Sequence, residues 1–239
     1  MDLQPVPYPL AKWLSDKVLA GALLLLLSPV FAVVYVAMAL DMLFARRDRG
    51  PWLYRERRIS SGREFDLLKF RAIRGDALER QSGAEAHARL LEADPGNLTW
   101  AGRRILKPWY LDELPQLFNV LRGDLSLVGP RPWPPSMVWD QVAAGYDYRN
   151  RVMAGWTGPA QVQKGITEPA GYTELDLGYV EACRTWSGAR LVRHDLGILA
   201  DGPRARSRRR PAVLIKTYET AFARPRLSRI RYPVIVSAG

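Results

Sequence analysis

The residues best suited to chemistry lie between Leu111 and Pro132, which read LDELPQLFNVLRGDLSLVGPRP. Two adjacent carboxylates, Asp112 and Glu113, open the run, and Arg131, braced by Pro130 and Pro132, closes it. Leu114, Leu117, Phe118 and Leu121 recur at helical spacing, so one face is expected to dock on a core. Pro115 is tolerated only in the first turn of a helix, which predicts a start near Leu111 or Asp112. Gly123 stands where a stop is expected. Asp112 and Glu113 would then sit at the positive end of a helix, where N–H groups and the macrodipole favour anions. A carboxylate held there stays ionised at neutral pH, as a nucleophile or a metal ligand must. Taken alone, the pair reads more simply as an Asp N-cap followed by a first-turn glutamate, which is common in helices of every function.

Such residues need a scaffold, and its first part is apolar. From Val18 to Leu40 no side chain is charged, and about 23 residues suffice to cross a hydrocarbon core of roughly 30 Å. The run is too long for the apolar region of a secretory signal and has no small-residue cleavage site. Ser28-Pro29 interrupts it; the proline removes a backbone donor and disfavours helical geometry at Ser28, so a kink is expected. Lys12 and Lys17 precede the run and Arg46, Arg47 and Arg49 follow it. Basic flanks prefer the cytoplasmic face. A straight span would export one cluster, whereas a helix that bends and returns keeps both inside. Kinked spanning helices are ordinary, and the sequence leaves both topologies open.

A net charge of +11 suits anionic lipid, nucleic acid or phosphorylated substrates. A single cysteine, Cys183, excludes an internal disulfide and a cysteine zinc cluster. The two histidines, His87 and His194, stand far apart, which disfavours a Ser-His-Asp triad or a histidine metal site. Neither a Walker loop nor a GxGxxG motif is present. The basic tail around Gly202 to Pro211 is not interleaved with the aromatics that nucleic-acid stacking requires, so no nucleic-acid partner is expected.

Between these landmarks the pattern is mixed. Residues before Lys17 read as a short amphipathic lead-in. Residues 46–73 read as a hairpin turning at Ser60-Ser61-Gly62. Ser82 to Ala93 predicts a short exposed helix, stopped by Asp94-Pro95-Gly96. Leu125 to Gly129 predicts a short buried strand. Pro132 to Gly158, rich in Trp, Tyr and Gly, predicts irregular packed structure. Tyr172–Ala182 and Ala189–Leu199 predict helices. Gly202 to Pro211 is arginine-rich and reads equally as a solvated tail or a surface that meets membrane or partner.

In this order the parts resemble the bacterial polyprenyl-phosphate phosphoglycosyl transferases, the monotopic sugar transferase family, in its small, catalytic-core-only type. The resemblance runs from about Lys12 to Leu199. It rests on Ser28-Pro29 in the apolar segment, Lys69-Phe70-Arg71, the whole Leu111–Pro132 block, the ELD-x-x-Y of Asp176 and Tyr179, and the DL pair at Asp195. So many positions matched in order overturn the simpler reading of Asp112 and Glu113.

The resemblance implies a mainly helical α+β fold. A re-entrant membrane helix with its lead-in would occupy 1–45, a compact catalytic domain with a small antiparallel hairpin 46–200, and a basic tail 201–239. It implies a two-step transfer on the cytoplasmic face of the bacterial inner membrane. Asp112 would attack a UDP-sugar, release UMP and carry the phosphosugar, which a polyprenyl phosphate, expected to be undecaprenyl phosphate, then accepts. Glu113 would hold Mg2+, and Lys69, Arg71, Lys107 and Arg131 would bind phosphate or substrate. Ser28, Pro29, Asp176, Tyr179 and Asp195 would be structural or accessory, Asp195 being structural or metal-linked. The partners implied are the nucleotide diphosphate-sugar, the polyprenyl phosphate and anionic membrane lipid, with a homodimer left open. The alternative is a membrane-tethered binding protein with decayed catalytic machinery. Some positions depart from the family: Ile59 replaces a glycine, Lys107 an arginine and Met153 an arginine, with Arg149 and Arg151 nearby. An arginine just after that segment in some members is also absent, and Lys164 stands nearest. These losses leave the donor sugar open.

Overall fold

The computed structural model describes residues 5–80, 91–163 and 171–207. Two helices form the N-terminal arm, α1 at Leu10–Leu26 and α2 at Ser28–Phe44, bent by 57° about Leu27. Neither alone is long and apolar enough to cross a membrane. Residues 10–16 of the amphipathic lead-in belong to α1 itself. The break falls one residue earlier than Ser28: Pro29 lies in the first turn of α2, where its missing N–H is harmless, and the Ser28 hydroxyl donates to the Leu25 carbonyl at 2.8 Å.

A hairpin follows, β1 at Leu53–Ser60 against β2 at Arg63–Phe70, antiparallel with Tyr54 opposite Lys69, Glu56 opposite Leu67 and Arg58 opposite Phe65. Ser61 and Gly62 form the turn with φ of 48° and 74°, the left-handed pair that matches strand twist. The predicted buried strand is β3, Ser126–Val128, and it pairs in parallel with β4, Gly155–Thr157. A Cβ at Gly155 would lie 2.1 Å from the Gly129 nitrogen, and one at Gly158 2.1 Å from the Gly129 oxygen, so the two segments approach only because both are glycine.

The other helices are α3 at Gly75–Arg80, α4 at Lys107–Trp109 continuing a π-helical turn at Gly102–Leu106, and α5 at Gln116–Arg122. They continue with α6 at Pro135–Ala143, α7 at Pro159–Val162, α8 at Gly171–Thr185 and α9 at Gly188–Ser207. Helix α6 corrects the expectation of irregular structure over 132–158: Pro134 and Pro135 start it, and Val138 and Gln141 bury one face. The helices expected at 172–182 and 189–199 are present and longer; α9 crosses the boundary placed at residue 200. The helix expected over Ser82–Ala93 falls mostly outside the described residues, as do Lys164 and Arg208 to Pro211.

Two apolar clusters bind the arm to the rest. Ala20 and Leu23 of α1 pack in the cluster of Leu67, Leu117, Val120, Leu127, Tyr179 and Leu191. Val34 and Met38 of α2 pack with Phe70, Leu106 and Leu114. Polar contacts reinforce both arms. On α1, Lys12 Nζ donates to Asp195 Oδ2 at 2.5 Å and to the Val128 carbonyl at 3.1 Å, with Asp16 3.7 Å away. Tyr8 and Ser126 donate to Asp16, and the Tyr179 hydroxyl lies 2.9 Å from both Asp195 and the Val128 carbonyl. Lys17 caps the end of α5 through the Val120 and Leu121 carbonyls. On α2, Asp41 accepts from the Ala101 N–H at 2.8 Å. Lys12 and Lys17 are therefore not free flanking charges. They bolt the arm to the domain.

Candidate active site

The segment that carries Asp112 is shaped by three local events. Tyr110 adopts a left-handed conformation, φ 56° and ψ 26°, which ends α4. Leu111–Glu113 then forms a single 3-10 turn, and Pro115 caps α5. Asp112 therefore does not open an α-helix: three residues, Glu113, Leu114 and Pro115, stand between it and Gln116. The cause is Tyr110, whose turn re-aims the chain before α5 begins. The apolar face is also shifted. Leu114, Leu117 and Val120 are buried, while Phe118 and Leu121 are partly exposed. Phe118 turns to Phe31 of α2, with ring centroids 6.1 Å apart.

Without a helix dipole behind it, Asp112 depends on neighbouring cations. It is 3% exposed, and its Oδ2 accepts from Lys107 Nζ at 2.7 Å. Lys107 also pairs with Glu92 at 2.6 Å. Burial lifts the Asp112 pKa above the usual carboxylate value; Lys107 and Lys69 oppose that shift and the Glu113 charge adds to it. Glu113 behaves oppositely. Burial would raise it, but Arg131 first, then Lys69 and Lys107, outweigh that and hold its pKa low. Arg131 reaches Glu113 Oε1 at 3.3 Å. One carboxylate is strained toward its neutral form while its neighbour is held ionised.

Lys69 arrives from the inward face of the hairpin, which carries Glu56 and Arg58 as well. Lys69 Nζ lies 3.1 Å from Glu56 Oε2, and Arg58 pairs with the same carboxylate. Burial would raise the Glu56 pKa, yet Lys69, Arg58 and Arg131 together lower it. Glu56 was not singled out from sequence. The signal was available: charged residues at 56, 58 and 69 break the apolar alternation of a strand pair whose inner face is otherwise Phe65 and Leu67.

The structure thus gathers Asp112, Glu113, Lys107, Lys69 and Arg131. Arg71 is not among them. It is 2% exposed, and its guanidinium donates to the carbonyls of Pro51 at 2.7 Å, Ile73 at 2.7 Å and Asp48 at 2.5 Å. That tie fixes the link between α2 and the hairpin and leaves no fork for phosphate. Tyr179 and Asp195 stand with Lys12 in the arm's anchor. Asp176 accepts from Arg149 at 2.6 Å and from the Tyr148 hydroxyl at 3.0 Å. Ser28 and Pro29 stand at the bend. Met153 does not take the place of an arginine's charge; its sulfur accepts from the Ser60 hydroxyl at 3.2 Å.

Residues 8–201 match the family model described as bacterial sugar transferase. A curated relative in Komagataeibacter xylinus, an undecaprenyl-phosphate glucose phosphotransferase, is 34% identical over 202 residues, 77% of this chain and 36% of the relative. An Aeromonas hydrophila protein named UDP-N-acetylgalactosamine-undecaprenyl-phosphate N-acetylgalactosaminephosphotransferase is 31% identical over 69% of this chain and 38% of its own length. A Caulobacter vibrioides UDP-glucose:undecaprenyl-phosphate glucose-1-phosphate transferase is 32% identical over 80% of this chain and 70% of its own length. The chain thus spans well under half of the first two relatives.

Proposed function

This chain belongs to the bacterial sugar transferase family, and on that premise we propose that it transfers a phosphosugar from a UDP-sugar to a polyprenyl phosphate, with Asp112 as nucleophile. An Asp112 carboxylate oxygen attacks the phosphorus that bears the sugar; the bond from that phosphorus to the bridging oxygen breaks and UMP leaves. The acyl phosphate so formed is a legitimate covalent intermediate for aspartate. A phosphate oxygen of the polyprenyl carrier then attacks the same phosphorus, and the carboxylate departs. The product is a polyprenyl diphosphate sugar.

The observation that carries this reading is a buried Asp112 ringed by Lys107, Lys69 and the Arg131–Glu113 pair. Lys107 orients the carboxylate and counters its desolvation. Lys69, paired with Glu56, and Arg131, paired with Glu113, would exchange those partners for substrate phosphate oxygens. Among the described residues no cluster of three or more metal-ligating side chains forms. Glu113 would hold magnesium, since one or two carboxylates suffice where substrate phosphates are also present. Bound there, the ion would offset charge on the phosphoryl oxygens.

The arm is read as re-entrant, entering and leaving by the cytoplasmic face of the bacterial inner membrane. Both arms are tied to one domain, α1 through Lys12–Asp195 and α2 through Asp41–Ala101, while Val18, Leu25, Leu26, Val33 and Val36 near the bend are exposed. Anionic lipid suits Arg46 and Arg47 after α2.

Incubation with a panel of UDP-sugars tests the chemistry. UMP release with a phosphosugar adduct on Asp112 by mass spectrometry is the expected result. An adduct on another residue, or unimpaired turnover in Asp112→Asn, would overturn the assignment. For topology, a Pro7→Cys thiol should resist impermeant reagents in intact cells and react after lysis. Native Cys183 is buried and its thiol is pushed up to about 11, so it does not compete.

A further inference from the structure

The segment Pro130–Trp133 carries Arg131 to Glu113, and nothing in the segment itself fixes its path. Pro130 and Pro132 lack N–H donors, so their neighbours must be held through carbonyls. Three are. The Gly155 N–H donates to the Pro130 carbonyl at 2.9 Å, the Ile59 N–H to the Trp133 carbonyl at 3.0 Å, and Arg149 Nη1 to the Arg131 carbonyl at 2.6 Å. The last is a side chain reaching across 18 residues to the residue that meets Glu113.

Arg149 is well built for this. Its Nη2 bonds Asp176 Oδ2 at 2.6 Å, its guanidinium carbon stands 4.1 Å over the Trp133 ring, and it is 7% exposed. A planar fork can bridge a carboxylate on one side and a carbonyl on the other while lying flat on an indole. The residue is gripped from α8 by Asp176 and from below by Trp133, so the carbonyl it holds has little freedom. Buried ion pairs contribute little net stability compared with an apolar filling. Arg149 Nε and Asp176 Oδ1 are in addition buried without a protein partner. Stability alone therefore gives a weak reason for this pair.

We infer that Arg149, seated on Asp176, is a positioning residue: through the Arg131 carbonyl it aims the Arg131 guanidinium at the phosphate site beside Glu113. This rests on the reading of Arg131 as a phosphate ligand. It also assigns Asp176 a task, as the base of a relay running Asp176, Arg149, Arg131, Glu113. Lysine at 149 could satisfy the carboxylate or the carbonyl but could not hold both in one plane.

The test is a double-mutant cycle on the full chain in lipid nanodiscs, with inorganic pyrophosphate and magnesium as the probe and calorimetric affinity as the readout. Arg149→Lys should weaken pyrophosphate binding about 10- to 100-fold when Arg131 is present, and hardly at all in an Arg131→Gln background. KM for a UDP-sugar should rise with it. Asp176→Asn should show the same dependence on Arg131 and carries the cycle if Arg149→Lys does not fold, as judged by near-UV circular dichroism. Equal losses in both backgrounds, or no loss in either, would overturn the inference while leaving Arg131 as a ligand. If the unaltered chain binds no pyrophosphate, the phosphate-site reading fails and the relay falls with it.

Discussion

The anchor of α1 and the Asp112 cluster are both built from buried lysine–carboxylate pairs, yet they serve opposite ends. In the anchor, Lys12 is enclosed by Asp195, Asp16 and the Val128 carbonyl, and its side chain is 3% exposed. Tyr8, Ser126 and Tyr179 satisfy the carboxylates further. In the cluster, the side chain of Lys69 is 10% exposed, but that of Arg131 is 45% exposed and that of Lys107 25%, so these two cations are open on one side. A closed pair can only hold. A half-open pair can change partners, which phosphate binding requires.

The contrast is broken most sharply by removing a charge from each side. Asp112→Asn should lower UMP release by about 10⁴-fold, while the melting temperature stays level or rises, because a buried carboxylate costly to desolvate has been neutralised and Lys107 keeps Glu92. Lys12→Met should do the reverse. It leaves Asp195 and Asp16 without any other lysine or arginine at ion-pair distance among the described residues, and should destabilise the fold by about 3–5 kcal/mol in denaturant titration. A fall in activity beyond the unfolded fraction would show that the anchor also shapes the site.

Smaller effects sharpen the same distinction. Glu113→Gln should reduce turnover by about 10²-fold, and chelation should suppress wild-type activity with recovery on adding magnesium; full activity in chelator would end the metal reading. Lys69→Met should raise the KM for UDP-sugar about 10-fold, with only slight loss of stability, since Arg58 remains on Glu56. Arg71→Lys should lower the melting temperature rather than KM, because its guanidinium ties three carbonyls. The smallest change expected is from Pro29→Ala, which removes the backbone restraint at the bend and should move the arm partway toward spanning, read as partial labelling of the Pro7→Cys thiol in intact cells.

Much of the scaffold was legible because its signals are local. The hairpin turn at Ser61-Gly62, the short strand at Ser126–Val128 and the helices beginning at Gly171 and Gly188 each follow from spacing and turn chemistry within a dozen residues. What was misread lay where long-range contacts decide. The helix assigned to Asp112 yields to a 3-10 turn because Tyr110 adopts a left-handed conformation. Lys12 and Lys17, read as basic flanks of the apolar run, are taken up by partners more than 100 residues away. Arg71 looked like a phosphate ligand beside Lys69, but β2 ends at Phe70, and beyond it the Arg71 guanidinium is taken up by the Pro51, Ile73 and Asp48 carbonyls while Lys69 meets Glu56.

The amino-acid sequence by itself determined which residues are available for chemistry: the Asp112-Glu113 dyad, the basic residues near it, and an apolar run interrupted by a proline. Those are properties of residue type and order, and short-range sterics act on them directly. Only the tertiary structure decided how the charges divide. Whether a lysine is sealed against a carboxylate or left open to a phosphate depends on desolvation and on partners that arrive from distant segments. Neither quantity is a function of the residues adjacent in the chain.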